Sequence, residues 1–363
     1  MARVVVAVDS FKGSLAAADA AATIAAAWRA VRPGDTVVLR PMADGGEGTC
    51  AAFEAAVHGA RRMPVTVTGP AGSDIAAHWL LLPDGTGVVE LASTSGIELL
   101  REARRPFDAD TTGFGQAIAA AMAHGVERLV LGIGSSASTD CGVGLLRALG
   151  ARLLDCDGSA IAPGLRGLAS IAAVDLSRLV PPPADGALVL SDVSNPLLGA
   201  NGAAAVFGPQ KGLRPDDVDF ADRCLAHAAS FLPAGPETPG AGAAGGTGFA
   251  LLAWGARLMP GAAEVARIVG LADAIRDADL VITGEGRYDA QSASGKVPGF
   301  VAALARDARV PVALVAGSID ADTHEFVLSR SLTESAGSAQ EALREPRRWL
   351  ADAAALLAAR LDR

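Results

Sequence analysis

Lysine is nearly absent from this chain of 363 residues: only three of its 31 basic side chains are lysines, leaving 28 arginines. Lys12, Lys211 and Lys296 each stand next to a glycine, in FKGS, PQKG and SGKV. Arginine therefore carries the ordinary surface positive charge. A guanidinium is a flat, wide fork and an ammonium a compact point charge, so lysine kept beside glycine points to close-fitting anion sites. A basic surplus is missing too. The 31 Lys+Arg against 40 Asp+Glu leave a net charge of -9, which excludes a nucleic-acid backbone binder. No run of 18 apolar residues occurs, so no membrane span is expected. The stretch MARVVVAVDSFKGS has too short an apolar segment for a signal peptide and reads as a buried first strand. Cysteines are few and scattered (Cys50, Cys141, Cys156, Cys224). With no CxxC they imply neither a disulfide framework nor a zinc site, and they suit a reducing cytoplasm. The five histidines show no ligand spacing. What is present is globular: half of the chain is apolar, a fifth is charged, and the length suits two domains.

Strand-loop-helix units open the chain. Arg3 to Val8 is a β-branched strand, DSFKGS a loop and Ala16 to Ala30 a helix. Thr36 to Arg40 is a second strand, MADGGEG a loop and Thr49 to Val57 a helix. The pattern returns with strand Ala278 to Thr283, loop GEGRYDAQSASGK, helix Val297 to Arg306 and strand Pro311 to Ala316. Such alternation predicts an α/β fold with a parallel sheet, and ligands at the C-terminal ends of its strands. The middle differs. VTVTG, HWLLL and GVVEL read as short strands, with PDGTG as a hairpin signal between the last two. Helix Gly115 to His124, strand Arg128 to Gly132 and strand Leu188 to Leu190 follow. The Pro/Gly-rich stretch 233–246 reads as a loop or hinge. The expectation is two α/β domains: a discontinuous Rossmann/flavodoxin-like parallel-sheet domain of residues 1–62 and 250–363, with a second α/β domain, 63–249, inserted into it.

Each strand end carries chemistry beside a plainer reading. In DSFKGS, the backbone N–H groups of Lys12, Gly13 and Ser14 suit an anion at a helix start, with Lys12 adding charge; otherwise Ser14 simply caps the helix. The Walker A spacing is absent. In ADGGEGT, Asp44 and Glu47 can hold Mg²⁺ or its waters, or only cap the next helix. GIGSSASTDCGVG packs Ser135, Ser136, Ser138 and Thr139 into an oxyanion-cradle composition. SDVSNP places Asp192 where a general base can sit, while Asn195 before proline suits a turn. GEGRYD offers Glu285, Arg287 and Asp289, with Gly284 and Gly286 beside them and Lys296 beyond, which suits a metal–nucleotide site. GAGAAG at 240–245 matches GxGxxG but follows no strand, so a dinucleotide site is discounted.

Taken together, DSFKGSL, PMADGGEGT, ELASTSGIELL, GSSASTDCGVGLLRALG, DVSNPLLG, VFGPQKG, GAGAAGGTGF and ADLVITGEGRYDAQSASGKVP resemble the type I glycerate kinase family over nearly the whole chain. The resemblance implies ATP-dependent phosphorylation of D-glycerate with Mg²⁺, in two α/β domains with the active site in the cleft between them. The product it favours is 2-phosphoglycerate. Two positions depart from the family pattern: its usual glycines near 135 and 141 are Ser135 and Cys141 here, where a side chain can narrow the loop or shift substrate preference.

Expected roles follow from phosphoryl-transfer chemistry. Lys12 and Lys296 meet phosphates, with Ser10, Gly13, Ser14, Gly284 and Gly286 assisting. Asp192 is the general base. Asp44, Glu47, Glu285 and Asp289 are metal-side acids. Ser135, Ser136, Ser138, Thr139 and Asn195 contact the substrate, and Lys211 or Arg287 binds its carboxylate. Two other classes stay open: a nicotinamide-dependent oxidoreductase of a small hydroxy acid, and a non-catalytic hydroxy-acid-binding protein. Oligomeric state is open, a homodimer included.

Overall fold

The computed structural model describes residues 1–293 and 296–360. Ser294 and Gly295, from the loop that leads to Lys296, lie outside the described residues, as does the 361–363 end of the expected first domain. The chain divides into two compact units: Met1–Asp44 with Ala51–His58 and Ala262–Arg363, and Gly45–Cys50 with Gly59–Gly261.

The first unit is built on a five-stranded, wholly parallel sheet. Its spatial order is Leu328–Ser331, Val312–Ile319, Leu280–Tyr288, Arg3–Val8, Thr36–Leu39. The valine run of the first strand is fully buried, as expected of a strand covered on both faces. Helix Ala17–Val31 turns Ala17, Ala20, Ala21, Ile24, Ala25 and Trp28 inward, a stripe at helical spacing. Leu350, Ala354 and Leu357 of helix Pro346–Arg360 share that core. Because the last three strands in this order are parallel neighbours, the segments after Val8, Leu39 and Tyr288 emerge at one end of the sheet.

The second unit carries a six-stranded mixed sheet. Its order is Arg257–Met259, Ala187–Leu190, Arg128–Gly132, Thr86–Glu90, Asp74–Leu81, Arg61–Thr68. The first four strands are parallel and the last two are added antiparallel. PDGTG is the turn joining the antiparallel pair Asp74–Leu81 and Thr86–Glu90. Here too, the segments after Glu90, Gly132 and Leu190 emerge at one end. Among the described residues no helix is long and apolar enough to cross a membrane.

Three local expectations are corrected. The strand expected to end at Thr283 runs on to Tyr288, because Glu285, Arg287 and Tyr288 pair with Ala316, Ser318 and Ile319; GEGRY is strand, not loop. The segment after Lys12 does not enter a helix. Phe11 and Leu15 bridge to each other, and the helix begins only at Ala17 without a side-chain cap. The stretch 233–246 is not all loop: helix Ala243–Trp254 starts inside it, through a left-handed run at Ala244, Gly245 and Gly246.

Candidate active site

In the first unit, three strand ends bring four acids and two lysines together. Asp9 follows the first strand, Asp44 follows the second, and Glu285 lies on the extended strand with Asp289 just beyond. Burial raises the Asp9 carboxyl well above its usual range, and the charges of Asp44 and Glu285 add to the shift while Lys12 opposes it. Glu285 is 8% exposed, and its Oε1 is buried with no hydrogen-bond partner among the described residues. Burial lifts its pKa to about 7, against a hydrogen bond from Ser292 and the charge of Lys296. Asp289 is tied locally, its Oδ1 accepting from the Ser292 backbone N–H at 3.2 Å. A further positive charge near the buried Asp9 and Glu285 would favour their ionised forms.

Of the expected phosphate residues, Lys12 and Gly13 are exposed and Ser10 is half-buried. Ser14 is engaged within its own turn: its N–H and hydroxyl both reach the Phe11 carbonyl, at 2.9 and 2.8 Å. That corrects its expected part as an open donor at a helix start. Gly286 earns its place by close approach, since a Cβ there would sit 3.0 Å from the Lys12 backbone nitrogen. Lys296 stands at the N-terminal end of helix Val297–Asp307. Arg287 is exposed and pairs with Asp320 at 2.8 Å. Among the described residues no three His, Cys, Asp or Glu side chains converge closely enough to hold a metal by themselves. The expected four-acid metal set is therefore not a protein-made cage, and Glu47 belongs to the second unit.

In the second unit the glycine/serine loop 134–142 is held rigidly. The Ile97 N–H donates to the Ser135 carbonyl at 2.8 Å and the Ala137 N–H to the Ser95 carbonyl at 3.1 Å. Asp140, fully buried, collects the Thr111 N–H and hydroxyl at 2.9 and 2.7 Å and the Gly142 and Gly144 N–H groups at 3.2 Å. Ser138 and Thr139 are buried, with hydroxyl oxygens lacking a hydrogen-bond partner among the described residues. The two departures from the family's glycines both take left-handed backbone, Ser135 at φ 60° and Cys141 at φ 54°. Such φ values cost a side chain of order 1–2 kcal/mol. Burial raises the Cys141 thiol pKa far above its ordinary range, so it is inert packing.

Ser135 also lines a cavity of about 240 Å³ with Glu47, Glu90, Ser93, Ile97 and Glu98. Glu90, which sequence reasoning quoted without giving it a role, is 5% exposed. Its carboxylate accepts from the Gly48 and Cys50 N–H groups at 3.2 and 2.9 Å, and burial raises its pKa. The only signal for it was its position at a strand end in ELASTSG.

Three expected substrate or base residues are engaged internally. Lys211 is 2% exposed. Its ammonium donates to Ser136 Oγ at 2.7 Å and to the Ser138 carbonyl at 2.5 Å. A buried ammonium spent on its own chain is not a carboxylate receptor, which corrects that expectation. The Asn195 amide donates to the Asn201 carbonyl at 2.8 Å and locks a turn. Asp192 is exposed, and its Oδ1 accepts from the Gly261 N–H at 2.9 Å, at the start of helix Gly261–Ile268. The GAGAAG glycines are consumed by packing: a Cβ on Gly242 would strike the Pro196 carbonyl, and one on Gly245 the Ser138 carbonyl. They offer no cradle to a dinucleotide.

Against known proteins, the glycerate kinase family model matches residues 4–362. A glycerate kinase of Bacillus subtilis is 43% identical over 336 residues, covering 89% of this chain and 86% of its own. A glycerate 2-kinase of Escherichia coli is 41% identical over 356 residues, covering 94% and 93%. Among solved structures, a Salmonella typhimurium LT2 protein assigned as a glycerate kinase 2 superposes with a TM-score of 0.84 at 38% identity, over 99% of this chain and 98% of that one.

Proposed function

The chain belongs to the glycerate kinase family, and we propose that it transfers the terminal phosphoryl group of ATP to D-glycerate, giving 2-phosphoglycerate. The observation that carries this reading is the unbroken match to the family over nearly the whole chain. The acid and lysine cluster at the strand ends of the first unit supports it.

Phosphoryl transfer asks the protein for alignment, charge neutralisation and a proton acceptor. We assign the phosphates to Lys12 and Lys296, with Ser10, Gly13, Gly284 and Gly286 shaping the approach. Mg²⁺ fits this cluster. The partnerless Glu285 oxygen and the raised Asp9 carboxyl are what a cation would relieve, and Mg²⁺ commonly takes one or two carboxylates and completes its shell with phosphate oxygens and water. Asp44 and Glu285, with Asp289 behind them, would hold it, and it would supply neutralisation of phosphate charge. The loop Ser135, Ser136, Ser138 and Thr139 is assigned to glycerate, and Arg287 to its carboxylate. Asp192 is assigned as the base that takes the hydroxyl proton; its exposed carboxylate can orient the hydroxyl before the proton leaves.

The test is glycerate-dependent ADP release in the presence of Mg²⁺, run beside Asp192→Asn. General-base groups contribute about 10² to 10⁴ in rate, and a loose transition state favours the lower part. The variant should lose about 10²-fold in kcat with little change in the glycerate KM. If it keeps more than about a third of wild-type kcat, the base is not Asp192 and passes to Asp44 or Asp289. Binding of glycerate without ADP release would instead mark a hydroxy-acid-binding protein.

A further inference from the structure

Lys211 stands apart from the other two lysines. It closes the 3₁₀ turn Pro209–Lys211 and its side chain is buried, and among the described residues its ammonium donates to a hydroxyl and a carbonyl rather than to a carboxylate. Its ammonium instead makes two short bonds to one segment of the glycine/serine loop, to Ser136 Oγ and to the Ser138 carbonyl. The space around it is closed: a methyl group on Gly245 would come within 2.9 Å of Nζ. Gly245 is itself held to the loop, its carbonyl accepting from the Cys141 N–H at 3.1 Å. The loop is thus anchored on the Ser95–Ile97 side by backbone bonds, at its end by Asp140, and in its middle by Lys211.

An ammonium in this position is costly, because burial disfavours the charged form. Here burial lowers its pKa to about 7, with only the charge of Asp140 opposing. A methionine would fill the same space at no such cost if packing were the only requirement. What the amine adds is direction: it fixes one hydroxyl rotamer and one carbonyl, and between them it sets how Ala137 to Thr139 are presented. Neighbouring hydroxyls at Ser138 and Thr139 are left without hydrogen-bond partners among the described residues in the resulting conformation. Preorganised donors of this kind bind a ligand without a reorganisation cost at the moment of binding.

We propose that Lys211 is a positioning residue for glycerate: its buried ammonium holds the Ser136–Ser138 segment in its binding conformation and never touches the substrate. The proposal rests on the assignment of this loop to glycerate.

The experiment is steady-state kinetics of the full-length chain with MgATP and D-glycerate, for wild type, Lys211→Met, Lys211→Arg and Ser136→Ala. Losing hydrogen bonds to a charged donor should raise the glycerate KM of Lys211→Met by at least about tenfold. Its kcat at saturating glycerate should stay within about threefold, and its KM for ATP should not move. Lys211→Arg should fail to restore the glycerate KM, because the wider fork does not fit beside Gly245. Ser136→Ala removes one of the two bonds without emptying the site. It should raise the same KM by about threefold or more, and because Ser136 is itself assigned to glycerate, the double variant with Lys211→Met should cost less than the two single effects multiplied; if Lys211→Met does not fold, Lys211→Gln takes its place. A wild type that turns over glycerate while Ser136→Ala and a folded Lys211→Met keep its KM overturns the positioning role alone. A fall in kcat with unchanged KM does the same. A wild type that does not phosphorylate glycerate overturns both the role and the reading beneath it.

Discussion

Glu285→Gln should make the protein more stable at alkaline pH and less active. The glutamate is 8% exposed with one orphaned oxygen, and its pKa rises from an ordinary 4.5 to about 7 in the folded chain. Between those two values the folded state binds more protons at this site than the unfolded state does. Stability from this group is therefore lost as pH rises from 4.5 towards 7 and stays lost above. At about 1.4 kcal/mol for each tenfold change in proton affinity, the rise from 4.5 to about 7 makes the penalty above pH 7 of order 3 kcal/mol. Glutamine carries no charge to desolvate and can still accept the Ser292 hydrogen bond. Urea unfolding of the two proteins should thus give equal stabilities near pH 4.5 and a gain for the variant, of order 2–3 kcal/mol, at pH 8. Magnesium-dependent turnover should fall together with that gain, the trade expected where a strained charge serves function. A variant no more stable than wild type at pH 8 would refute the reasoning, since the buried carboxylate would then be costing nothing.

Ser135→Gly should stabilise the chain by about 0.5–1 kcal/mol, measured by denaturant midpoint, because glycine occupies φ 60° without the side-chain penalty. Asp140→Asn should destabilise it by about 2–4 kcal/mol in the same assay, since an amide cannot accept from the four donors the carboxylate gathers. Lys12→Arg should leave the melting curve unchanged, since Lys12 is exposed, and lower kcat/KM for ATP by at least about tenfold, because a flat guanidinium fork does not reproduce the compact point charge of an ammonium beside a phosphate.

Where local pattern decides structure, the chain was legible from its residues. The valine run at 3–8, the apolar helical stripe from Ala17 and the PDGTG hairpin are set by periodicity and turn chemistry. Where partners decide, it was not. GEGRY looks like a charged turn, yet the strand Val312–Ile319 holds it extended to Tyr288. Ser14 looked like a helix cap, but the Phe11–Leu15 bridge closes the turn before any helix begins. Among candidate site residues, the rarity of lysine singles out Lys12, Lys211 and Lys296 without distinguishing exposed from buried. Nothing in PQKG announces that the ammonium is spent inside the fold. Asp9 and Glu90 escaped notice because their perturbation comes from neighbours distant in sequence, Asp44 and Glu285 for the first and the Gly48–Cys50 backbone for the second. Ser135 and Cys141 were visible as departures from glycine; that both sit in left-handed backbone needed coordinates.

The central claim is tested most directly by incubating the purified chain with MgATP and D-glycerate and following the reaction by phosphorus NMR. The account predicts that the terminal ATP resonance is lost while ADP and 2-phosphoglycerate appear in equal amounts, and that omitting glycerate abolishes the change. Unaltered ATP, or phosphate released as inorganic ion without a phosphoglycerate resonance, would contradict it.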